Sequence, residues 1–316
     1  MGSVNANMKD YLQPIALILA IILGVVANTT LFVLNDIFLD MAIYLVLIAV
    51  FFFFFFIKLK DALQDTQYLT VAWVTNFIII PIIAFVIVSL FTEVGSLLFL
   101  GLIIYLIAPC TDWVLGFTKL AKGDVERNTI LLPINLITQL LLVTLVITFF
   151  SETVMVVPVA DLVETLLWWI LIPFILAQIL LFISFKIKKK YFQKIQETAN
   201  HSIIYVTILL VFIIFFVNAH LLIEQLTLLP QIIIVIMAFF IITYYLVRFI
   251  ARKLSFNHAK ESALSITTAA RNAPFMLGIT LLLLPEASIV HLVLIVGMLV
   301  EFPHLITLTY LLKKQK

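Results

Sequence analysis

Apolar residues in this chain come in runs of about twenty, and polar residues collect in short gaps between the runs. At 1.5 Å of rise per residue, such a run crosses a bilayer core of about 30 Å as one helix. The pattern predicts ten spans, at roughly 13–34, 40–57, 69–91, 96–118, 127–150, 161–185, 201–222, 229–250, 259–284 and 290–312. Strands of a membrane barrel would alternate with period two over about ten residues. Here the runs are continuous, and residues 51–56 are six consecutive phenylalanines. No gap is long enough for a soluble domain. The expected fold is an all-α polytopic membrane protein with ten transmembrane helices, a single integral domain over 1–316.

Charge then orients the spans. Lys9 precedes the first. Lys58 and Lys60 follow the second, Lys119, Lys122 and Arg127 the fourth, and Lys186, Lys188, Lys189, Lys190 and Lys194 the sixth. Arg248, Arg252, Lys253 and Lys260 follow the eighth, and Lys313, Lys314 and Lys316 the tenth. Eighteen of the nineteen cationic residues thus fall on one side. The opposite loops hold Asp36, Asp40, Glu93, Glu152, Asp161, Glu164, Glu224 and Glu286, with no Lys or Arg. The positive-inside rule places both termini in the cytoplasm of a multi-pass protein of the cell membrane, and a miscounted span would break the alternation.

Composition agrees: 64% of residues are hydrophobic, 11% are charged, and the mean hydropathy is +1.24, outside the soluble range. The net charge of +2 gives no reason to expect a nucleic-acid partner. The N-terminal stretch lacks a basic region and a small-residue cleavage site, so no cleavable signal peptide is expected. The single cysteine, Cys110, cannot form an intrachain disulfide. Lys188–Lys190 reads as an orientation signal and a contact for anionic lipid. Oligomeric state is left open.

Two spans are interrupted. The fourth contains Pro109, Cys110, Thr111 and Asp112, and the ninth contains Arg271, Asn272, Ala273 and Pro274. Proline inside a helix removes a hydrogen bond, and backbone freed at membrane depth survives only where it is buried in protein or lines a cavity. Each break lies in the fourth span of its five. Five is odd, so the two halves, approximately 10–150 and 160–313, have opposite topology. This is the pattern of an inverted-repeat secondary transporter with its site where the broken helices meet. The spans that follow each carry polar groups and a proline: Pro133, Asn135 and Gln139 in the fifth, Glu301, Pro303 and His304 in the tenth. Gly297 adds a place for close helix approach.

Asp112, Arg271 and Glu301 are ionisable residues deep in the membrane, each costing about 3 kcal/mol or more to insert, and such residues face a cavity or one another. Arg271 has two pairings open to it, with Asp112 or with Glu301. Glu301 is the candidate proton carrier, since a buried carboxylate can hold or release a proton as the site changes. Cys110 is a soft ligand at the break, or a small buried hydrophobe. Thr111 and Asn272 stand at the breaks and are candidate ligand contacts. Asn135 and Gln139 share one face of their span and either line the site or join helices. Thr267 and Thr268 either line the site or bond back to their own helix. Glu301 and His304 form one Glu-x-x-His pair, where a di-iron site needs two, so no metal and no cofactor is expected. No phosphate-binding glycine loop, zinc motif or nucleophile elbow is present, which argues against an enzyme and against ATP-driven transport by this chain alone.

Phe117–Val125, FTKLAKGDV, resembles the Thr-x-Leu-Ala-Lys-Gly-Asp signature of the bile acid/sodium symporter superfamily. The resemblance extends over the chain in topology and is sharpest over 108–139 and 265–304. It implies ten spans, inverted five-span repeats, and fourth and ninth spans that cross where they unwind. A cysteine at the fourth-span break, with Val300-Glu301-Phe302-Pro303 in the tenth span, is similar to the arsenite efflux permeases, the arsenical-resistance branch. That branch implies roles for Cys110 and Glu301. The chain departs from the sodium-coupled members. Where they carry Ser-Asn in the fourth span, it has Val114 and Leu115. Where they carry Glu-Thr-Gly-Met-Gln-Asn in the ninth, it has Thr267, Thr268, Ala269, Ala270, Arg271 and Asn272. Arg271 also departs from the usual arsenite permeases.

The expected function is secondary active transport: proton-coupled efflux of arsenite or antimonite. Substrate would be bound by Cys110, Thr111, Asp112, Arg271, Asn272 and Glu301, with Asn135, Gln139, Thr267, Thr268 and His304 lining the site. Partners are a small-molecule or metalloid substrate, protons in preference to sodium, and membrane lipids. The alternative is a proton- or sodium-coupled transporter of a small organic anion held by Arg271. A sensor or scaffold without transport would give the paired breaks no use.

Overall fold

A computed structural model describes residues 8–30, 66–111, 113–154, 172–180, 208–222 and 224–314, with isolated positions 41, 48, 164, 168, 182, 183 and 205. The span expected at 40–57 falls largely outside the described residues, as does Asp112, while the span expected at 161–185 is described in part, with residues 172–180 helical. The regular structure described is helical: α1 Met8–Thr30, α2 Thr66–Phe91, α3 Leu97–Ile107, α4 Val114–Leu120, α5 Val125–Val154, α6 Ile208–Leu222, α7 Leu229–Lys253, α8 His258–Ala269, α9 Ala273–Leu283 and α10 Ser288–Lys314. Among the described residues there is no strand beyond one isolated bridge. Four helices, α2, α7, α10 and the Val125–Phe150 part of α5, are long and apolar enough to cross a membrane.

The helices are inside-out relative to a soluble bundle. On α5, Ile137, Leu141, Leu145 and Phe149 recur every fourth residue and are exposed, while Asn135 and Gln139 are fully buried. Exposed Ile82, Phe85 and Val86 on α2 and Ile233, Ile234 and Ile241 on α7 extend the same apolar surface. A hydrocarbon solvent accepts this arrangement because apolar side chains need no burial there, while polar groups do. Helix α10 is the most enclosed, burying 67% of its apolar stretch against 39% in each of the other three long helices. It packs along α3, α7 and α9. Gly101 on α3 makes the first of these contacts close, since a Cβ there would lie 3.0 Å from the Val290 Cα.

The LAKGD turn joins α4 to α5 and docks both onto α8. Lys122 takes the left-handed conformation at φ 57°, an uncommon state for a residue with a Cβ. Gly123 follows where a Cβ would meet the Ala263 nitrogen at 2.9 Å. The Asp124 N–H donates to the Ala259 carbonyl at 3.0 Å, and its side chain accepts from the Arg127 N–H at 3.1 Å, capping the start of α5. Asn128, 1% exposed, then accepts from the Tyr68 hydroxyl at 2.8 Å. Its amide donates to Thr118 Oγ1 at 2.8 Å and to the Ala263 carbonyl at 3.0 Å. One asparagine thus ties α2, α4, α5 and α8 together.

Candidate functional site

The interruptions expected at Pro109 and Pro274 are real gaps in helix. Residues 108–113 separate α3 from α4, and 270–272 separate α8 from α9. Pro274 lies in the first turn of α9, where its missing N–H costs nothing. The two gaps hydrogen-bond to each other. The Cys110 N–H donates to the Ala270 carbonyl and the Asn272 N–H to the Ala108 carbonyl, both at 2.9 Å, forming an antiparallel bridge between Pro109 and Arg271. In this register the opposed pair directs its own N–H and C=O groups away from the partner strand. Proline therefore fits at 109, since its position needs no donor. The Arg271 N–H points outward too, and it is used: it donates to Glu301 Oε1 at 2.9 Å.

Glu301 is fully buried on α10. Its Oε1 also accepts from Trp113 Nε1 at 2.8 Å, and its Oε2 lies 3.3 Å from the Tyr105 hydroxyl. That hydroxyl is 3.0 Å from the Gly297 carbonyl as well. A phenol has one hydrogen and faces two acceptors if the carboxylate is ionised. With a proton on Oε2, the carboxyl donates to the tyrosine oxygen and the tyrosine donates to Gly297, so every polar atom is served. Gly297 is what admits the ring, since a Cβ there would sit 2.5 Å from Tyr105 Cε2. Trp113 is braced in turn by Phe302, with ring centroids 4.8 Å apart.

Arg271 is also fully buried. Nη1 donates to the Leu106 carbonyl at 2.8 Å, and Nη2 donates to the Thr267 carbonyl at 3.2 Å and to the Thr268 carbonyl. These are orphan carbonyls in the last turns of α3 and α8, where the helix dipoles are negative. The guanidinium lies 5.6 Å from the centroid of the Phe239 ring. The Arg271–Glu301 pairing left open by the sequence is a contact of the Arg271 backbone N–H with the carboxylate.

The remaining expected residues divide. Cys110 and Thr111 are buried at the crossing. Asn272 donates to Thr111 Oγ1 at 3.1 Å and to Gln139 Oε1 at 3.4 Å, which brings α5 to the break. Asn135 is fully buried one turn before Gln139. The Thr268 hydroxyl bonds back to the Leu264 carbonyl at 2.7 Å. His304 stacks on Phe240 of α7, with ring centroids 4.0 Å apart. Tyr105, Trp113 and Asn76 are residues the sequence reading did not single out. The signal was available for two of them: an indole N–H or an amide in mid-span needs a partner where lipid offers none.

A model of the sodium bile acid symporter family matches residues 36–227 of this chain. The arsenical-resistance protein Acr3 of Corynebacterium glutamicum is 24% identical over 270 residues, covering 80% of this chain and 72% of that protein.

Proposed function

The chain belongs to the sodium bile acid symporter family, a family of membrane transporters, and from that premise we propose proton-coupled efflux of arsenite or antimonite from the cytoplasm. The likeness to an arsenical-resistance protein motivates the substrate. The observation that carries the coupling is the Glu301 pocket, whose hydrogen bonds close when the carboxyl holds a proton on Oε2. In this reading the protein is one domain over 1–316. It has ten spans in a five-plus-five inverted repeat, both termini cytoplasmic, in the plasma membrane.

The site is the crossing of α3–α4 with α8–α9. Trivalent arsenic is thiophilic, and the Cys110 thiol supplies the soft contact. The thiol displaces one hydroxyl of the oxyacid, forming one sulfur–arsenic bond and releasing one water; adding that water back restores both. Thr111, Asn272, Asn135 and Gln139 supply polar contacts, and Asp112 adds a carboxylate at the break. Thr267 and Thr268 contribute carbonyls that hold Arg271 rather than substrate. Glu301 gives up its proton as substrate binds and regains it as the empty carrier resets. Against sodium, Val114 and Leu115 offer no side-chain oxygen, and Thr267 offers a neutral hydroxyl where the sodium-coupled members carry glutamate. An organic anion is the rival reading, and it loses its main argument because both terminal nitrogens of Arg271 are engaged by backbone carbonyls.

Flux in proteoliposomes tests the proposal. Arsenite movement is expected to follow an imposed pH gradient and to ignore sodium. Glu301→Gln should lower gradient-driven flux about a hundredfold, the scale of losing a proton-transfer group. Cys110→Ser should remove most arsenite transport. Sodium-dependent flux that survives in Glu301→Gln would overturn the coupling, and carboxylate flux indifferent to Cys110→Ser would overturn the substrate.

A further inference from the structure

Within α2, residues Thr75–Ile79 form a π-turn, an irregularity that recurs at functional sites. It carries Asn76 fully buried, with neither Nδ2 nor Oδ1 hydrogen-bonded. The π-turn packs on α5, and one turn earlier Trp73 Nε1 donates to Thr138 Oγ1 at 3.2 Å, fixing the two helices in register. On α5, Asn135 is likewise fully buried with both amide ends unpartnered, and Gln139 leaves Nε2 unpartnered. Asn272, bonded to Gln139, leaves Oδ1 unpartnered. Flipping the amide of Asn76 or Asn135 satisfies neither, since both ends lack a partner.

Six unpartnered polar atoms on α2, on α5 and at the break before α9, with α5 packed against both of the others, are hard to reconcile with a dry interior, where each would be destabilising. Their chemistry is balanced: three NH2 donors, on Asn76, Asn135 and Gln139, and three carbonyl acceptors, on Asn76, Asn135 and Asn272. A carboxylate would satisfy the donors and set negative charge against the carbonyls. A bare cation would satisfy the carbonyls and set positive charge against the NH2 groups. A hydroxyl both donates and accepts, and so fits both kinds.

We propose that Asn76, Asn135, Gln139 and Asn272 form a recognition subsite for a neutral solute bearing several hydroxyl groups. This rests on the reading of the crossing as the substrate site, and it narrows that substrate to the uncharged trihydroxy form of the metalloid. Asn76 and Asn135 are the specificity-determining residues, because neither end of either amide is committed to the fold. The subsite holds the hydroxyls while the Cys110 thiol addresses the central atom.

Boric acid separates these contributions, being a neutral trihydroxide without affinity for thiols. Purified full-length Cys110→Ser protein is titrated with boric acid, acetate or sodium chloride, and ligand-induced thermal stabilisation is read. Boric acid is expected to stabilise, and acetate and sodium not to. Asn76→Leu and Asn135→Leu, which keep shape and remove both amide ends, should each weaken apparent boric acid affinity about tenfold. Asn76→Ser guards against misfolding and should weaken it less. Stabilisation by acetate or sodium that depends on these amides would overturn the proposal. So would unchanged boric acid affinity in the leucine variants, which would make the amides hydrated structure only. If wild-type protein carries arsenite while the leucine variants match it, the subsite fails and the transport reading stands. If boric acid binds through the amides and arsenite does not move, the reverse holds.

Discussion

Replacing Arg271 with methionine tests whether this buried cation serves the backbone or a ligand. The guanidinium satisfies the Leu106 and Thr267 carbonyls at 2.8 and 3.2 Å, and the Thr268 carbonyl besides, all in the last turns of α3 and α8. Leaving each carbonyl without its partner costs about 1–3 kcal/mol, an upper total of about 9 kcal/mol. Against this, methionine removes a charge whose burial itself costs several kcal/mol, and it fills much of the volume. The first effect wins, because the carbonyls stay buried whatever the side chain. The expected net loss is about 2–4 kcal/mol for Arg271→Met. Arg271→Lys should lose about 1–2 kcal/mol, since an ammonium keeps the charge but cannot fork between two helix ends. Thermal unfolding in detergent reads the difference as a melting temperature several degrees lower. Free guanidinium ion at millimolar concentration should partly restore Arg271→Gly, because the cavity left there is lined by the same carbonyls. A methionine variant as stable as the wild type, yet unable to transport, would refute the reasoning and return Arg271 to the substrate.

Gly297→Ala would place a Cβ within 2.5 Å of the Tyr105 ring, so it should expel the ring from Glu301 and cut proton-driven flux at least as deeply as Tyr105→Phe. Equal flux in the alanine variant would exclude Tyr105 from coupling. Asn128→Leu removes three hydrogen bonds that join α2, α4, α5 and α8, and should cost about 2–4 kcal/mol in unfolding measurements while leaving flux per folded molecule unchanged. Single cysteines at Lys189 and Glu224 in a Cys110→Ala background should label from opposite sides of the membrane; labelling of both by an impermeant reagent from outside would break the ten-span topology.

The crossing was legible because it depends on residues with loud signals. Two prolines and an arginine in apolar runs mark backbone that cannot stay helical in lipid. The partners of that arginine were not legible, since they are main-chain carbonyls and any residue supplies one. The sequence offered carboxylates for Arg271; of these Glu301 meets its backbone N–H, and the guanidinium takes three helix-end carbonyls and the face of Phe239. Tyr105 and Trp113 escaped notice because aromatic residues in membrane proteins are first read as interfacial. The sequence marks Asn76 only as an amide in mid-span, since nothing in a linear pattern announces the π-turn that carries it. His304 shows what spacing alone leaves open: three residues along a helix from Glu301, its ring stacks on Phe240 of α7, a contact between helices that no linear pattern announces.

The bridge between the two breaks is made of main chain, and that bears on how such a protein can change its trade. Its two hydrogen bonds, from Cys110 and Asn272 to Ala270 and Ala108, use no side-chain atom. The scaffold therefore keeps its geometry while the side chains around it are exchanged. What the backbone does demand is positive charge for the carbonyls at the two helix ends, and a tethered guanidinium is one way of meeting it; another cation would meet it as well. Selection can thus rewrite the cargo at 110, 111 and 272, and separately the counter-charge at 271, without rebuilding the crossing. A chain that belongs to the sodium bile acid symporter family and is also similar to an arsenical-resistance protein fits such an arrangement.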